Sequence, residues 1–358
     1  MTDSVRRILA VAAAAAVLAF SATHAATAAE KKDFKLAWTI YAGWMPWPYA
    51  ADAGIVKKWA DKYGITIEVV QINDYVESIN QYTAGKFDAV TVTNMDTLTI
   101  PAAGGVDNTA VIVGDYSNGN DGVVLKQKDT LADIKGQKVN LVELSVSHYL
   151  LARGLESVKL SERDVTVVNT SDADIVSAFS SADVTATVTW NPQLSEIVKT
   201  PGAHLVFSSS QIPGEILDLT VVHTAVLKDN PNFGKALVGA WYETMALMTK
   251  QDAAGRAARE AMGKLSGTTL EGYDAQLKTT HMYYEPKAAV AYVSSPDAVK
   301  SMDLVRTFSF EHGLLGEGAK TKDAIGIAFP GGKTLGNADN IKIRFDPTYM
   351  QMAADGKL

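Results

Sequence analysis

Short apolar runs alternate with amphipathic segments along the first third of the chain. The runs FKLAWTIY, ITIEVVQI, FDAVTVT and TAVIVGDY have the length and the β-branched content that are typical of strands. The segments between them predict helices over Pro46–Lys62, Val76–Ala84 and Asp96–Ala103. Strands separated by helices of this length predict a parallel sheet with crossover helices.

The same alternation resumes after the polar, glycine-rich segment SNGNDG, which is typical of a hinge. Strands are predicted at QKVNLVE, VTVVNT, VTATVTW and AHLVFSS, with helices over Ser147–Ser157, Asp174–Phe179 and Pro192–Lys199. The run EILDLTVVHTAVL predicts a returning strand, and residues 232–316 are predicted to be mostly helical. The pattern therefore predicts an α/β protein with two lobes, each built on a mainly parallel sheet flanked by helices. Its ligand cleft is expected at the hinge, beyond the carboxyl ends of the strands.

The N-terminus has the pattern of a secretory signal peptide. Arg6 and Arg7 precede the apolar stretch Ile8–Phe20, which is too short to span a bilayer, and Ala26–Ala28 fits a small-residue cleavage site. We expect export to the periplasm of a Gram-negative bacterium, without a lipid anchor. The predicted division is 1–28 signal peptide, 29–120 first lobe, 121–222 second lobe, 223–330 return to the first lobe and 331–358 C-terminal tail.

Composition narrows the possible chemistry. The chain has no cysteine, which excludes disulfides, thiolate metal sites and a cysteine nucleophile, and its net charge of −7 argues against nucleic acid or an anionic membrane surface as partner. The six histidines have no metal-ligand spacing, and no later stretch is apolar enough to be membrane-embedded. No cofactor and no metal site are predicted.

Three stretches resemble a known family: WPYAADAGIVKKWADKYGITIEVVQIND, SINQYTAGKFDAVTVTN and LVELSVSHYLLARGL. Taken in order, they resemble the solute-binding proteins of ABC importers of the nitrate/sulfonate/taurine type, which have the type II periplasmic-binding fold. More narrowly, they resemble the urea carboxylase-associated branch, whose transporters are thought to serve urea- or guanidine-type compounds. The resemblance implies a monomeric periplasmic receptor that delivers a small molecule to an ABC permease and its ATPase, and not an enzyme.

The segments expected to line the cleft carry acidic and aromatic residues. Residues 39–56, 92–105, 141–152, 187–198 and 208–224 contain no lysine or arginine, but they include three of the six tryptophans. A buried cation needs carboxylates and aromatic faces, and a guanidinium can pair edge-on with a carboxylate while its face stacks on an indole. The charge inventory therefore predicts a small nitrogen-rich cation such as guanidine, or a urea-like compound, as the ligand.

Ten residues are the candidates for contacting this ligand. They are Trp44, Trp47, Asn94, Asp96, Glu143, Ser145, His148, Trp190, Glu215 and Asp218. Glu143, Asp96 and one of Glu215 or Asp218 are the predicted charge partners, and the tryptophans are the predicted walls. Other roles remain open, because Asp96 could cap a helix, the tryptophans could belong to the core and His148 could be structural.

Two other functions compete with this one. A helix entering at Ser147 would point its N-terminus at the cleft, and helix N-termini favour anions such as nitrate, taurine or an alkanesulfonate. The missing cleft lysine and arginine count against an anion. An enzyme on the same fold is the third candidate, but no G-x-S-x-G or H-E-x-x-H motif is present.

Overall fold

The computed structural model describes residues 31–358. The predicted signal peptide, residues 1–28, lies outside the described residues. Within 31–358 no helix combines the length and the apolar character that crossing a bilayer requires.

Helices and strands alternate through most of this range. The strands are β1 (Asp33–Trp38), β2 (Thr66–Gln71), β3 (Ala89–Thr93), β4 (Asn108–Ser117), β5 (Asp121–Lys126), β6 (Lys138–Leu141), β7 (Thr166–Asn169), β8 (Ala186–Trp190), β9 (Ala203–Ser208), β10 (Leu217–His223), β11 (Thr280–Met282), β12 (Gly326–Ala328), β13 (Thr334–Leu335) and β14 (Ile341–Phe345). The α-helices are α1 (Pro46–Asp52), α2 (Ile55–Lys62), α3 (Tyr75–Thr83), α4 (Asn94–Thr97), α5 (Val146–Ser157), α6 (Ile175–Ser180), α7 (Gln193–Ile197), α8 (Thr224–Asp229), α9 (Pro231–Met248), α10 (Ala253–Leu265), α11 (Leu270–Leu277), α12 (Pro286–Val293), α13 (Pro296–Glu311) and α14 (Thr348–Ala354).

The predicted helix over Pro46–Lys62 is two helices. Gly54 separates them with a φ of 73°, a left-handed conformation that glycine adopts without steric penalty. The break turns the chain between α1 and α2.

Two sheets form the two lobes. The first sheet has the order β13-β12-β14-β4-β10-β3-β1-β2, with β11 paired to β4, and the second has the order β7-β6-β8-β5-β9. Strands β1, β2 and β3 are parallel, whereas β10 is antiparallel to both β3 and β4. The α/β two-lobed fold predicted from the sequence is confirmed.

The chain crosses between the sheets twice. It leaves the first sheet at the end of β4 and enters the second at the start of β5, within the segment SNGNDG. It returns between β9 and β10, so Leu217 already belongs to the first sheet, a few residues before the predicted boundary at 222. The predicted tail, 331–358, also differs from expectation, because β14 pairs with β4 inside the first sheet.

Strand pairing brings distant residues to one edge of the first sheet. Asp218, near the start of β10, is the register partner of Thr93 at the end of β3 and of Asp115 near the end of β4. In the second sheet Asp121, the first residue of β5, is the register partner of Trp190, the last residue of β8. The site described below is built from these strand ends.

Candidate ligand-binding site

A small cavity lies where the strand ends of the two lobes meet. Its lining residues are Tyr41, Trp44, Tyr75, Thr93, Asp121, Val146, Trp190, Ile216 and Asp218. Its volume is about 20 Å³, so it has room for a ligand of only a few heavy atoms. A guanidinium, with three nitrogens about 1.3 Å from one carbon, is a ligand of this size.

Four aromatic rings form a continuous wall around the cavity. Tyr41 meets Trp44 edge-on with ring centroids 5.0 Å apart, Trp44 lies 5.8 Å from Tyr75, and Tyr75 meets Trp190 edge-on at 5.6 Å. The rings come from the loop after β1, the start of α3 and the end of β8, so both lobes contribute. A wall of this kind attracts a cation through the negative faces of the rings.

Two carboxylates line the cavity and two more stand behind its walls. Asp121 and Asp218 are lining residues that are each 3% exposed, and Asp115 beside Asp218 is 0% exposed. Tyr41 donates its hydroxyl hydrogen to Asp115 at 2.7 Å, and Ser117 donates to Asp121 at 2.5 Å. The Oδ2 atoms of Asp115 and Asp218 are buried without a hydrogen-bond partner, which is costly, and a ligand donor could relieve this at Asp218, which lines the cavity.

These carboxylates have unusual protonation equilibria because they are buried. Burial raises the pKa of Asp115 to about 7 and that of Asp121 to about 7, and it raises the pKa of Asp218 well above its ordinary value, with the charge of Asp115 adding to the effect. None of the ion pairs within residues 31–358 includes any of the three. The cavity is therefore surrounded by buried carboxyl groups that have no cationic partner within residues 31–358, and burial favours their neutral form.

A protein carboxyl group lies beside the N-terminus of α5. Asp96 accepts hydrogen bonds from Tyr75 Oη at 2.7 Å and from Thr93 Oγ1 at 2.8 Å. Burial raises the pKa of Asp96 to about 6 although these bonds, and one from the backbone N–H of Val146, oppose the shift. Val146, the first residue of α5, also lines the cavity, so Asp96 places a carboxyl group near the positive end of this helix, where an anionic ligand is also favoured.

The two lobes are tied together beside the cavity. Asp172, from the segment after β7, accepts a hydrogen bond from the backbone N–H of Tyr75 at 3.0 Å, and the backbone N–H of Ala42 donates to Asn191 O at 3.2 Å. Trp190 Nε1 also lies 3.4 Å from the carbonyl oxygen of Ile40. The cavity walls are thus fixed by contacts that require the lobes to be closed.

Comparison with known proteins places the chain in a family. The model of the NMT1-like family matches residues 27–262, which is well over half of the chain. The chain belongs to the NMT1-like family.

A curated relative of this NMT1-like protein is a putative aliphatic sulfonates-binding protein from Escherichia coli (strain K12). It is 27% identical over 167 residues, which are 46% of this chain and 49% of the relative. The chain thus spans about half the length of the curated relative it matches. This relative agrees with the predicted nitrate/sulfonate/taurine-type resemblance.

Solved structures share the two-lobed fold. The alkanesulfonate-binding protein SsuA from Xanthomonas axonopodis pv. citri, bound to MOPS, has a TM-score of 0.67 at 17% identity, with 81% of this chain and 96% of that chain covered. The periplasmic nitrate-binding protein NrtA from Synechocystis PCC 6803 has a TM-score of 0.55 at 13% identity, with coverage of 92% and 99%. At these identities the likeness concerns the fold of the NMT1-like protein.

Three of the ten predicted ligand residues line the cavity: Trp44, Trp190 and Asp218. Asp96 lies directly behind Tyr75 and Thr93, and it contributes charge without lining the space. Ser145 caps α5, accepting from Ser147 N at 3.1 Å.

The structure does not bring the other predicted residues to the cavity. Trp47 is buried against Trp241 with ring centroids 5.4 Å apart. The Asn94 side chain donates to the carbonyl oxygen of Glu215 and accepts from the backbone N–H of Leu217. Glu143 is exposed, because its strand has ended and the chain turns outward before α5. These positions follow strand ends, as the sequence suggested, but their side chains point away from the cavity.

His148 and Glu215 also lie away from the cavity, and each pairs with another side chain of the protein. His148 Nε2 pairs with Glu162, and its Nδ1 accepts from Leu144 N at 3.1 Å. Glu215 forms a bidentate pair with Arg153, at 2.9 and 3.0 Å, and accepts the hydroxyl hydrogen of Tyr149. A carboxylate that is already neutralised in this way is a poor partner for a second cation.

Sequence reasoning missed Tyr41, Tyr75, Asp115 and Asp121. Tyr41 lies in residues 39–56, which the sequence predicts to line the cleft, but the predicted contacts in that segment are Trp44 and Trp47. Asp115 lies two residues before the segment SNGNDG and Asp121 lies within it, and the sequence analysis predicts only a hinge there. Two aspartates beside a crossing of the chain between the lobes could have indicated the site, because such a crossing must pass the cleft.

Proposed function

We propose that this protein is the periplasmic solute-binding receptor of an ABC importer, and that its ligand is a small, planar, nitrogen-rich cation of the guanidinium type. The observation that carries the proposal is the cavity itself. Buried carboxylates and aromatic rings from both lobes surround it, and no lysine or arginine lines it.

Charge favours a cation over an anion. A nitrate or sulfonate beside Asp121 and Asp218 could be bound only with both carboxyl groups protonated, because like charges in a buried site repel strongly. Asp96 lies beside the helix N-terminus that could compensate and adds a further carboxyl group there. A cation instead supplies the charge that the site lacks.

Shape and hydrogen-bond chemistry favour a guanidinium among cations. Its N–H groups lie at the edge of a flat ion and can reach Asp121 and Asp218, and its faces can lie against Trp44 and Trp190. A quaternary ammonium has no N–H donor and would leave the Oδ2 atom of Asp218 unpartnered. Urea has the donors and the planar shape but no charge. A urea-like compound is therefore expected to bind more weakly than guanidinium.

The cellular role rests on the relatives and on the sequence. The relatives described above are named as binding proteins, which favours a receptor over an enzyme on this fold. A receptor of this class works as a monomer that delivers its ligand to a permease and its ATPase. The signal-peptide pattern of residues 1–28 supports export, and the sequence resemblance supports the urea carboxylase-associated branch.

An anion receptor is the second candidate, because the named relatives bind sulfonates or nitrate. Calorimetric titration separates the two. Protein lacking residues 1–28 should be unfolded in acid and refolded to remove carried-over ligand, since urea and guanidinium are themselves candidates. The panel is guanidinium, urea, tetramethylammonium, nitrate and taurine, each as the chloride or sodium salt where it has one.

The proposal predicts heat from guanidinium that exceeds any heat from urea or tetramethylammonium. Urea carries the donors without the charge, and tetramethylammonium carries the charge without the donors, so each tests one half of the argument. Saturable binding of nitrate or taurine, with no response to guanidinium, would overturn the proposal in favour of the anion receptor.

A further inference from the structure

Asp115 and Asp218 form a pair of facing carboxylates inside the protein. They are register partners on the antiparallel strands β4 and β10, and both are buried. Each retains an Oδ2 atom without a hydrogen-bond partner. Two adjacent ionised carboxylates repel each other, so the stable arrangement of an empty pair holds one proton between the two groups, as in other buried carboxylate dyads.

The surroundings offer this pair no cation. The titratable groups that face it are Tyr41 from the loop after β1, Asp121 from β5, Tyr273 from α11, and Tyr283 and Tyr284 from the segment after β11. Tyr41 supplies a hydrogen bond, but the others are neutral or acidic. Gly43 closes the remaining side, because a Cβ atom there would lie 2.5 Å from Asp115 Oδ2.

We propose that the Asp115–Asp218 pair holds a proton while the cavity is empty and releases it to solvent when the cation binds. The inference rests on the proposed function. In the exchange, the O–H bond of the shared proton breaks and the proton passes to buffer, while an N–H group of the ligand donates to the freed carboxylate. The net charge of the site is the same before and after, because one cation replaces another.

This exchange makes the affinity depend on pH near neutrality. Burial raises the pKa of Asp115 to about 7, and burial and the charge of Asp115 raise the pKa of Asp218 well above its ordinary value, so the empty pair keeps a proton at neutral pH. Because the ligand must displace this proton, affinity should rise with pH, by up to about tenfold for each unit over which the empty pair is still protonated. A rise of the periplasmic pH from acidic to neutral would therefore increase the fraction of the receptor that has ligand bound.

The test is calorimetry with guanidinium chloride in buffers of low and high ionisation enthalpy, such as phosphate and Tris, between pH 6 and 8. The slope of the observed enthalpy against buffer ionisation enthalpy counts the protons released, and we expect about one at the acidic end and fewer at pH 8. Absence of any guanidinium binding would overturn the proposed function and this inference together. Binding with a slope of zero throughout would overturn the inference alone.

Variants identify the source of the proton. Asp115→Asn replaces the carboxyl with an amide that can donate to Asp218, so its slope should fall by about one proton, whereas Glu143→Gln should keep the slope of the unmodified protein. An unchanged slope in Asp115→Asn would assign the released proton to Asp121, whose pKa is also raised to about 7, and overturn the inference. Should Asp115→Asn fail to fold, infrared difference spectra of the unmodified protein remain decisive. Guanidinium should abolish the carbonyl band of a protonated carboxylic acid, and an unchanged band would contradict the exchange.

Discussion

Replacing Asp218 by asparagine removes the carboxylate that both lines the cavity and has an unpartnered oxygen. The substitution preserves shape and removes charge. Truncating one member of a buried charge pair costs about 2–5 kcal/mol in binding. Since Asp121 stays in the cavity and retains part of the attraction, we expect about 2–3 kcal/mol, or roughly 30- to 150-fold weaker guanidinium binding at 1.4 kcal/mol per tenfold.

The stability of this variant separates lost binding from misfolding. The folded-state pKa of Asp218 lies well above the ordinary aspartate value, chiefly because of burial and secondarily because of Asp115. The folded protein therefore binds this proton more tightly than the unfolded chain, and the contribution of Asp218 to stability falls as pH rises. At pH 8 the asparagine variant should melt at the same temperature as the unmodified protein or higher.

Calorimetric titration at pH 8 measures the effect, and Glu143→Gln is the matched control. Glu143 is a carboxylate from a cleft-side loop, but it is exposed and lies away from the cavity. Its loss should change the binding free energy by less than about 0.5 kcal/mol, as expected for a screened surface charge. Equal affinities for Asp218→Asn and the unmodified protein, or a large loss in Glu143→Gln, would refute the reasoning.

Three further substitutions test other parts of the site and the lobe contact. Trp190→Leu removes one aromatic wall and should weaken guanidinium binding by about 0.5–2 kcal/mol in titration, and unchanged affinity would exclude the ring from ligand stacking. Gly43→Ala places a Cβ atom 2.5 Å from Asp115 Oδ2, so both the melting temperature and the affinity should fall, and a normal affinity would contradict the packing described here. Burial acts to raise the pKa of Glu162, but hydrogen bonds from His148 and His312 outweigh burial and lower this pKa to about 2. Glu162→Gln should therefore lower the free energy of unfolding by about 1–2 kcal/mol at pH 7, after allowance for partial exposure. That difference, followed by denaturant unfolding, should vanish as pH falls from about 4.5 towards 2, and a difference that persists at low pH would assign it to packing.

Local patterns were enough to predict most of the elements. Strands β1 to β4 and the helices between them follow from the apolar runs, because each run carries its own length and residue preference. The break at Gly54 was also visible in principle, since a glycine within an amphipathic helix often marks its end. What no local pattern contains is the pairing of β10 with β4.

That pairing decided which carboxylates reach the cavity. Asp115 and Asp218 are about a hundred residues apart in sequence, and only the antiparallel register makes them neighbours. Glu215, three residues before Asp218, was an equally reasonable candidate until the structure placed Arg153 against it. Arg153 lies two turns into α5 and does point away from the cavity, but in doing so it neutralises a residue that was expected to bind the ligand.

The use of the α5 N-terminus links the fold to the charge of the ligand. A helix of this length with its first N–H groups near a cleft attracts an anion, and this was the strongest argument for a nitrate or sulfonate ligand. Asp96 comes from the opposite lobe and lies beside the first turn of that helix, where it adds one more buried carboxyl group behind Tyr75. In the proposed cation site, this aspartate would face the positive end of the helix in place of a ligand anion.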